Sequence, residues 1–326
     1  MHRTLLTLLL LLPAAPLAAL EITPFRVTNQ TPLVQIFGLP PAAGGQTLET
    51  GRSELLLAVD VASHFTNNSR GDESIVLDGE TYRYTLALRR GLSSGLEVGV
   101  EIPWVAHSGG FLDGFIEGWH DFFGLPQGGR DRAPRDQLFF EYRENGAVEL
   151  QRVDSADGLG DIRLTAAWPL RKRSPSSTAA ALHASLKLPT GDSDRLLGSG
   201  STDLALGVNA DRTFPSSWGE FALYGGGGLL LLTDGDVLPD RQRNLVGFAT
   251  AGGAWRPLSW LAFKLQLDGH TAFYDSDLTE LGESLQLTVG GTLDWGDTSL
   301  DIGVGEDIVV DSAPDVLFHL ALRSRF

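Results

Sequence analysis

The sequence has no cysteine, so neither a disulfide framework nor a thiolate metal site can belong to its chemistry. Basic residues are scarce: 25 Lys and Arg face 41 Asp and Glu, for a formal net charge of −16. Nucleic acid, whose phosphates demand a basic footprint, is excluded as a partner. No apolar run approaches the ~18 residues that a spanning helix needs. With 42% hydrophobic and 20% charged residues, the chain is no disordered acidic tail either. No cofactor-binding motif is readable, and no cofactor is expected.

What is present starts at the N-terminus. His2-Arg3, an apolar run from Leu5 to Leu12 and small residues from Ala14 to Ala19 predict a cleaved export signal over 1–19. The other end alternates. Val316, Phe318, Leu320, Leu322 and Phe326 share one face, and His319, Arg323 and Arg325 the other. A strand ending on an aromatic such as Phe326 resembles the assembly signal of bacterial outer-membrane β-barrels, which implies the barrel-assembly machinery as a partner.

Between these ends the same period of two recurs in segments of barrel-strand length. Leu55, Leu57, Val59 and Val61 alternate with Glu54 and Asp60, and Val98, Val100 and Ile102 with Glu97 and Glu101. Others include Tyr82 to Arg89 and segments starting near Leu159, Ala179, Thr202, Glu220, Asn244, Leu261, Ser284 and Thr298. About twelve strands are expected, an even number that returns both ends to one side of a membrane. Alternation alone does not exclude a soluble sandwich, but the tryptophans do. Trp168, Trp218, Trp255, Trp260 and Trp295 all fall at one set of junctions, as amphipathic rings at headgroup level should. Phe65, Tyr82, Tyr84, Trp104 and Phe273 are expected to form the opposite belt. The expected fold is therefore all-β, a transmembrane antiparallel barrel over 51–326. Turns are short on the tryptophan side, and longer loops lie opposite at 66–80, 107–158, 190–201, 233–243, 275–283 and 309–314.

Two segments do not read as wall. Residues 20–50 carry turn chemistry (Asn29, Gln30, Pro32) among apolar residues (Phe25, Leu33), which suggests a plug. In the long loop, Phe115, Ile116, Trp119, His120 and Phe123 belong to a stretch, 111–123, with helical spacing. That helix is expected either on the membrane surface, with lipid and lipopolysaccharide as partners, or over the barrel mouth as a lid. A hairpin turning at Glu144-Asn145-Gly146 should follow it.

Interior parity collects Asp60, His64, Glu97, Glu101, His183, Lys187, Lys264, Asp268, His270, His319, Arg323 and Arg325. Interleaved signs favour a lumenal salt-bridge network, against a lined solute path. Glu54 and Asp60 are candidates to pair with Arg323 and Arg325 across the seam, and His64 with His319. The two histidines lack a third metal ligand. Asp192/Asp194, Asp234/Asp236 and Asp275/Asp277 read as turn residues more readily than as Ca²⁺ ligands. No nucleophile shares a face with a histidine, so no catalytic site is expected.

Three motifs carry a family resemblance. They are Pro24-Phe25-Arg26-Val27-Thr28-Asn29-Gln30-Thr31-Pro32-Leu33 with Gly38-Leu39-Pro40; Gly109-Gly110-Phe111-Leu112-Asp113 through His120 and Phe123-Gly124-Leu125-Pro126 to Arg130; and Gly158-Leu159-Gly160-Asp161-Ile162. They resemble an uncharacterised outer-membrane family, the domain of unknown function numbered 3187. The resemblance implies an outer-membrane barrel and no activity. A more distant likeness is to long-chain fatty-acid channels, whose N-terminal segment plugs a larger barrel, although no motif of theirs matches residue by residue. The leading expectation is a passive channel or uptake pore for a small, partly apolar solute. The alternatives are a non-conducting structural or surface-interaction barrel, and then an outer-membrane lipid-modifying enzyme.

Overall fold

Strict alternation leaves each strand with one greasy and one polar face, and the sheet rolls up to separate them. The computed structural model describes residues 21–124, 133–172, 178–309 and 311–326, without the side chains of Trp119, His120 and Phe123. The expected export signal, Leu125 to Arg130 and Arg173 lie outside the described residues. The described strands are β1 (Ser53–Arg70), β2 (Glu73–Gly91), β3 (Glu97–Ser108), β4 (Phe139–Glu144), β5 (Ala147–Arg152), β6 (Ala156–Leu159), β7 (Arg163–Arg171) and β8 (Ala179–Lys187). Then follow β9 (Asp203–Ser216), β10 (Gly219–Leu232), β11 (Leu245–Leu258), β12 (Leu261–His270), β13 (Ser284–Trp295), β14 (Thr298–Asp307) and β15 (Val316–Arg325). One α-helix, α1 (Asp113–Phe123), lies between β3 and β4.

Twelve strands, β1–β3 and β7–β15, make a closed antiparallel barrel, because β15 pairs back onto β1 with Glu54 opposite Arg325 and Asp60 opposite His319. Closure leaves no unpaired sheet edge, the condition for a sheet in lipid. The outer face is apolar: on β10, Leu223 is 60% and Leu229 54% exposed, whereas Tyr224 and Leu230, each one position further on, are buried. The five junction tryptophans are all exposed at the turn end, with Phe326 beside them in level. A band of exposed leucine edged by indole rings fits a hydrocarbon slab and not water.

Three departures from the expected layout matter for the interior. Residues 66–80 are no loop: β1 and β2 continue their ladder from Thr66↔Leu77 to Arg70↔Glu73, above the rest of the wall. β4 pairs with this extension and β5 with β4. The β4–β5 turn has positive φ at Asn145 (51°) and Gly146 (81°), the two-residue turn whose twist matches a hairpin. The strand expected from Leu159 is divided at Gly160–Ile162, with β6 and β7 both paired to β3. Finally, Phe273 does not join the outer belt; it is fully buried and stacks on Phe37 at 4.8 Å.

Helix α1 lies outside the mouth. Its first turn is held by Glu80, which accepts from the backbone N–H of Phe111 (2.7 Å) and Leu112 (2.6 Å). Glu80 shares the outward parity of Tyr82 and is nonetheless buried. Phe115 meets the outward ring of Phe318 on β15, with centroids 6.0 Å apart.

Candidate functional site

The lumen is occupied by residues 21–50. Phe25, Asn29, Gln30, Pro32 and Leu33 are all buried, as are Val34, Ile36 and Phe37. The wall grips this segment mainly by its backbone. Gln266 accepts from Phe25 N–H (2.8 Å) and donates to Phe25 O (3.0 Å), as a neighbouring strand would. Further along, the N–H groups of Gly38, Gly45 and Leu48 donate to Asp203 (2.6 Å), Asp211 (2.6 Å) and Glu97 (2.8 Å). Gly38 is required there: a Cβ would stand 2.8 Å from the Asp203 Cβ and 3.2 Å from that of Lys187. Side-chain anchors are fewer. Asn29 donates to Ser312 O (2.8 Å) and meets His270 Nε2 (3.0 Å), and the Phe25 ring lies 3.9 Å under the Lys264 ammonium.

The residues of the interior-parity set are buried or half-buried, and most are tied into ion pairs. Glu54 contacts Arg89 and pairs with Arg325 (2.8 Å), and Arg323 stands 3.7 Å away. Glu101 contacts Arg26 of the inserted segment and pairs with Arg163 (3.2 Å); Arg89 also reaches Glu97 (2.8 Å). Lys187 bridges Asp161 and Asp203, and Asp301 joins Lys264 (2.7 Å) to Arg323 (3.2 Å). His183 meets Gly44 O at 3.1 Å. The seam differs from expectation at two points. Asp60 pairs with His319 Nδ1 (2.7 Å), not with an arginine. His64 does not meet His319: it lies four residues past Asp60, roughly 13 Å along the strand, and contacts Thr81 (3.2 Å), which in turn reaches His107 (3.1 Å).

The two ends of the lumen are unlike. At the loop end an apolar seal joins Leu33, Val34, Ile36 and Phe37 to Ile75 and Leu77 of β2, Phe140 and Tyr142 of β4, Leu230, Phe273 and Tyr274. Tyr274 donates its hydroxyl to Leu33 O at 2.9 Å, and burial pushes its phenol pKa up, so it stays a donor. Below the seal, three small cavities of about 60, 30 and 20 Å³ lie between the inserted segment and the wall. Pro40, Phe248 and Thr250 line both the first and the third. Arg89 and Glu97 line the first and also a cavity of about 260 Å³ at the turn end. Among the described residues no group of three His, Asp or Glu is placed to hold a metal ion.

Gln266 and Gln286 are among the residues of the interior that sequence reasoning passed over. Uncharged amides of correct parity carry no signal beyond that parity.

A family model, "Protein of unknown function (DUF3187)", matches residues 3–326. Comparison with curated proteins gives no match. Among solved structures, the COG4313 outer membrane channel from Pseudomonas putida F1 is similar at a TM-score of 0.57 and 13% identity, over 86% of this chain and 97% of that one. A KdgM porin is matched at 0.44 and 7% identity, over 84% and 99% of the two chains. The Pseudomonas putida toluene transporter TodX is matched at 0.35 and 12%, over 84% and 87%. The first of these likenesses shows the fold.

Proposed function

The chain belongs to the DUF3187 family, and on that premise we propose that it is a passive outer-membrane channel for a small, partly apolar solute, closed by its own N-terminal segment. One observation carries the reading: small cavities lie between the inserted segment and the wall beneath the apolar seal, and the Arg89–Glu97 ion pair stands between the first of them and the space at the turn end. A barrel serving only as a wall or anchor gains nothing from such space, since unfilled interior forfeits packing. The apolar seal favours solutes with carbon surface of their own. The long-loop end faces outward and the tryptophan end the periplasm, the usual asymmetry of such barrels. Residues 1–19 act as the export signal, and 21–50 as the plug. The interior ion pairs hold the wall and the plug together; they are not catalytic groups, and no enzyme is proposed.

The test is conductance in planar bilayers. The full-length protein should open rarely, and a variant lacking 21–50 should conduct steadily. Silence from both, with the barrel folded, would give the protein a structural role instead.

A further inference from the structure

Helix α1 is built the wrong way round for water. Its carboxylates face the protein: Asp113 and Glu117 are buried beside Leu112 and Ile116. Asp113 accepts from the backbone N–H of Asp136 at 2.7 Å, and Glu117 accepts from Arg135 Nε at 3.1 Å and from its Nη2. These bonds fix the rotation of the helix about its own axis. The opposite stripe, at spacings of three and four, holds Phe115, Gly118 and Phe122, and Phe111 continues it just ahead of the first turn. Phe111, Phe115 and Phe122 are 68%, 54% and 82% exposed. Covering one such ring is worth about 1.5–3 kcal/mol, whereas burying a carboxylate is costly unless it is paired. In water the opposite rotation would be the stable one.

The place of the helix on the wall supplies the missing solvent. Phe115 lies against the outward ring of Phe318. Phe318 stands opposite Val61, and Val61 opposite Tyr82 of the expected outer belt. Phe318 is also eight residues from Phe326, roughly 26 Å along a strand. A strand tilt of about 40° turns that into roughly 20 Å of height, near the top of an apolar band about 25 Å tall. The aromatic stripe therefore continues the lipid-facing wall at its loop-side rim. A lid over the mouth would aim these rings at the lumen, and Phe115 instead meets the outside of the wall. Exposed apolar patches of this kind mark membrane contacts when a membrane is at hand.

We infer that α1 is an interfacial helix whose Phe111, Phe115 and Phe122 stripe is embedded in the acyl chains of the loop-side leaflet. Such helices enter about 5–10 Å into the boundary between headgroups and chains. Glu80 holds its first turn to the wall and Arg135 its carboxylate side to the connection that follows. Gly118, with open space where a Cβ would stand, leaves a gap between the rings of Phe115 and Phe122 for a chain to fill. The inference stands on the barrel fold and holds whether or not the barrel conducts.

The chain has no cysteine, so one introduced thiol takes a nitroxide at one known place. The full-length variants Gly118→Cys and Phe122→Cys, spin-labelled and reconstituted in palmitoyloleoylphosphatidylcholine vesicles, are read by electron paramagnetic resonance against dissolved oxygen and a water-soluble nickel chelate. Oxygen gathers in hydrocarbon and the chelate in water. At both sites the ratio of oxygen to nickel collisions should match that of Leu229→Cys on the lipid face. It should exceed that of Asp240→Cys, in an exposed loop, several-fold. Heat-shifted gel migration checks that each variant has folded. Gly118→Cys keeps every phenylalanine, so a misfolded Phe122 variant does not spare the inference. A ratio equal to that at Asp240 would put the stripe in water and overturn it. Spin–spin broadening between copies would make the occupant a second barrel, and a label shielded from both reagents would make it this protein's own chain; either result overturns it too.

Discussion

The hydroxyl of Tyr274 donates to the carbonyl oxygen of Leu33 across 241 positions of sequence, and this bond joins the loop-end seal to the inserted segment. Tyr274→Phe keeps the ring and removes that bond, leaving a buried carbonyl unpaired at a cost of roughly 1–3 kcal/mol. More frequent openings are expected in bilayer recordings, with an unchanged barrel by circular dichroism.

Phe37→Ala should act more strongly. The ring stacks on Phe273 and lies 5.7 Å, edge-on, from Tyr274. Removing a buried phenylalanine costs about 3–5 kcal/mol, and here the loss falls on the seating of the segment. Hydrogen exchange over residues 21–50 should accelerate far more than exchange in the strands.

Gly38→Val tests the narrowest point of the insertion. A branched side chain would be driven against Asp203 and Lys187, which are themselves an ion pair. The expected outcome is a folded barrel with a misplaced segment, seen as new protease cleavage between 21 and 50. An uncleaved variant as closed as the wild type would count against the insertion geometry.

Glu54→Gln removes the carboxylate that Arg89, Arg323 and Arg325 surround. Breaking a buried ion pair from one side costs about 3–5 kcal/mol, because the remaining charges lose compensation. A lower temperature for the heat-induced gel shift is expected. Arg325→Gln should cost less, since Glu54 keeps its other partners.

Phe115→Ala separates the helix from the barrel. Losing its contact with Phe318 should speed proteolysis of the 109–137 connection while leaving the heat shift of the barrel where it was. An equal loss of barrel stability would mean that α1 belongs to the wall.

Much of this architecture was legible before any coordinates. A period of two, an even strand number and indoles gathered at one set of junctions each have one physical cause, a lipid slab around a closed sheet. The β4–β5 hairpin was legible from Asn145-Gly146. Other features were not. Phe273 reads as a belt residue because an aromatic at a strand end looks the same whether it turns to lipid or folds inward. The Asp60–His319 pair depends on the register at closure, which alternation leaves free by steps of two. The extended β1–β2 hairpin was hidden by its polar tip, and its buried Ile75 and Leu77 find their partners on β4 and in the loop-end seal. Parity placed Asp268 on the inner face, but sequence could not reveal that its partners there are the uncharged Thr250 and Gln266.

The amides of Phe25, Gly38, Gly45 and Leu48 tether the inserted chain, and every one of these tethers is indifferent to what the anchored residue carries as a side chain. Outside the confined glycines, the packed residues of the seal and the Arg26 and Asn29 anchors, these tethers read no side chain, and proline, which has no N–H to give, is the replacement that would unfasten them. A barrel that holds its stopper partly by the peptide groups constrains only part of that stopper's sequence.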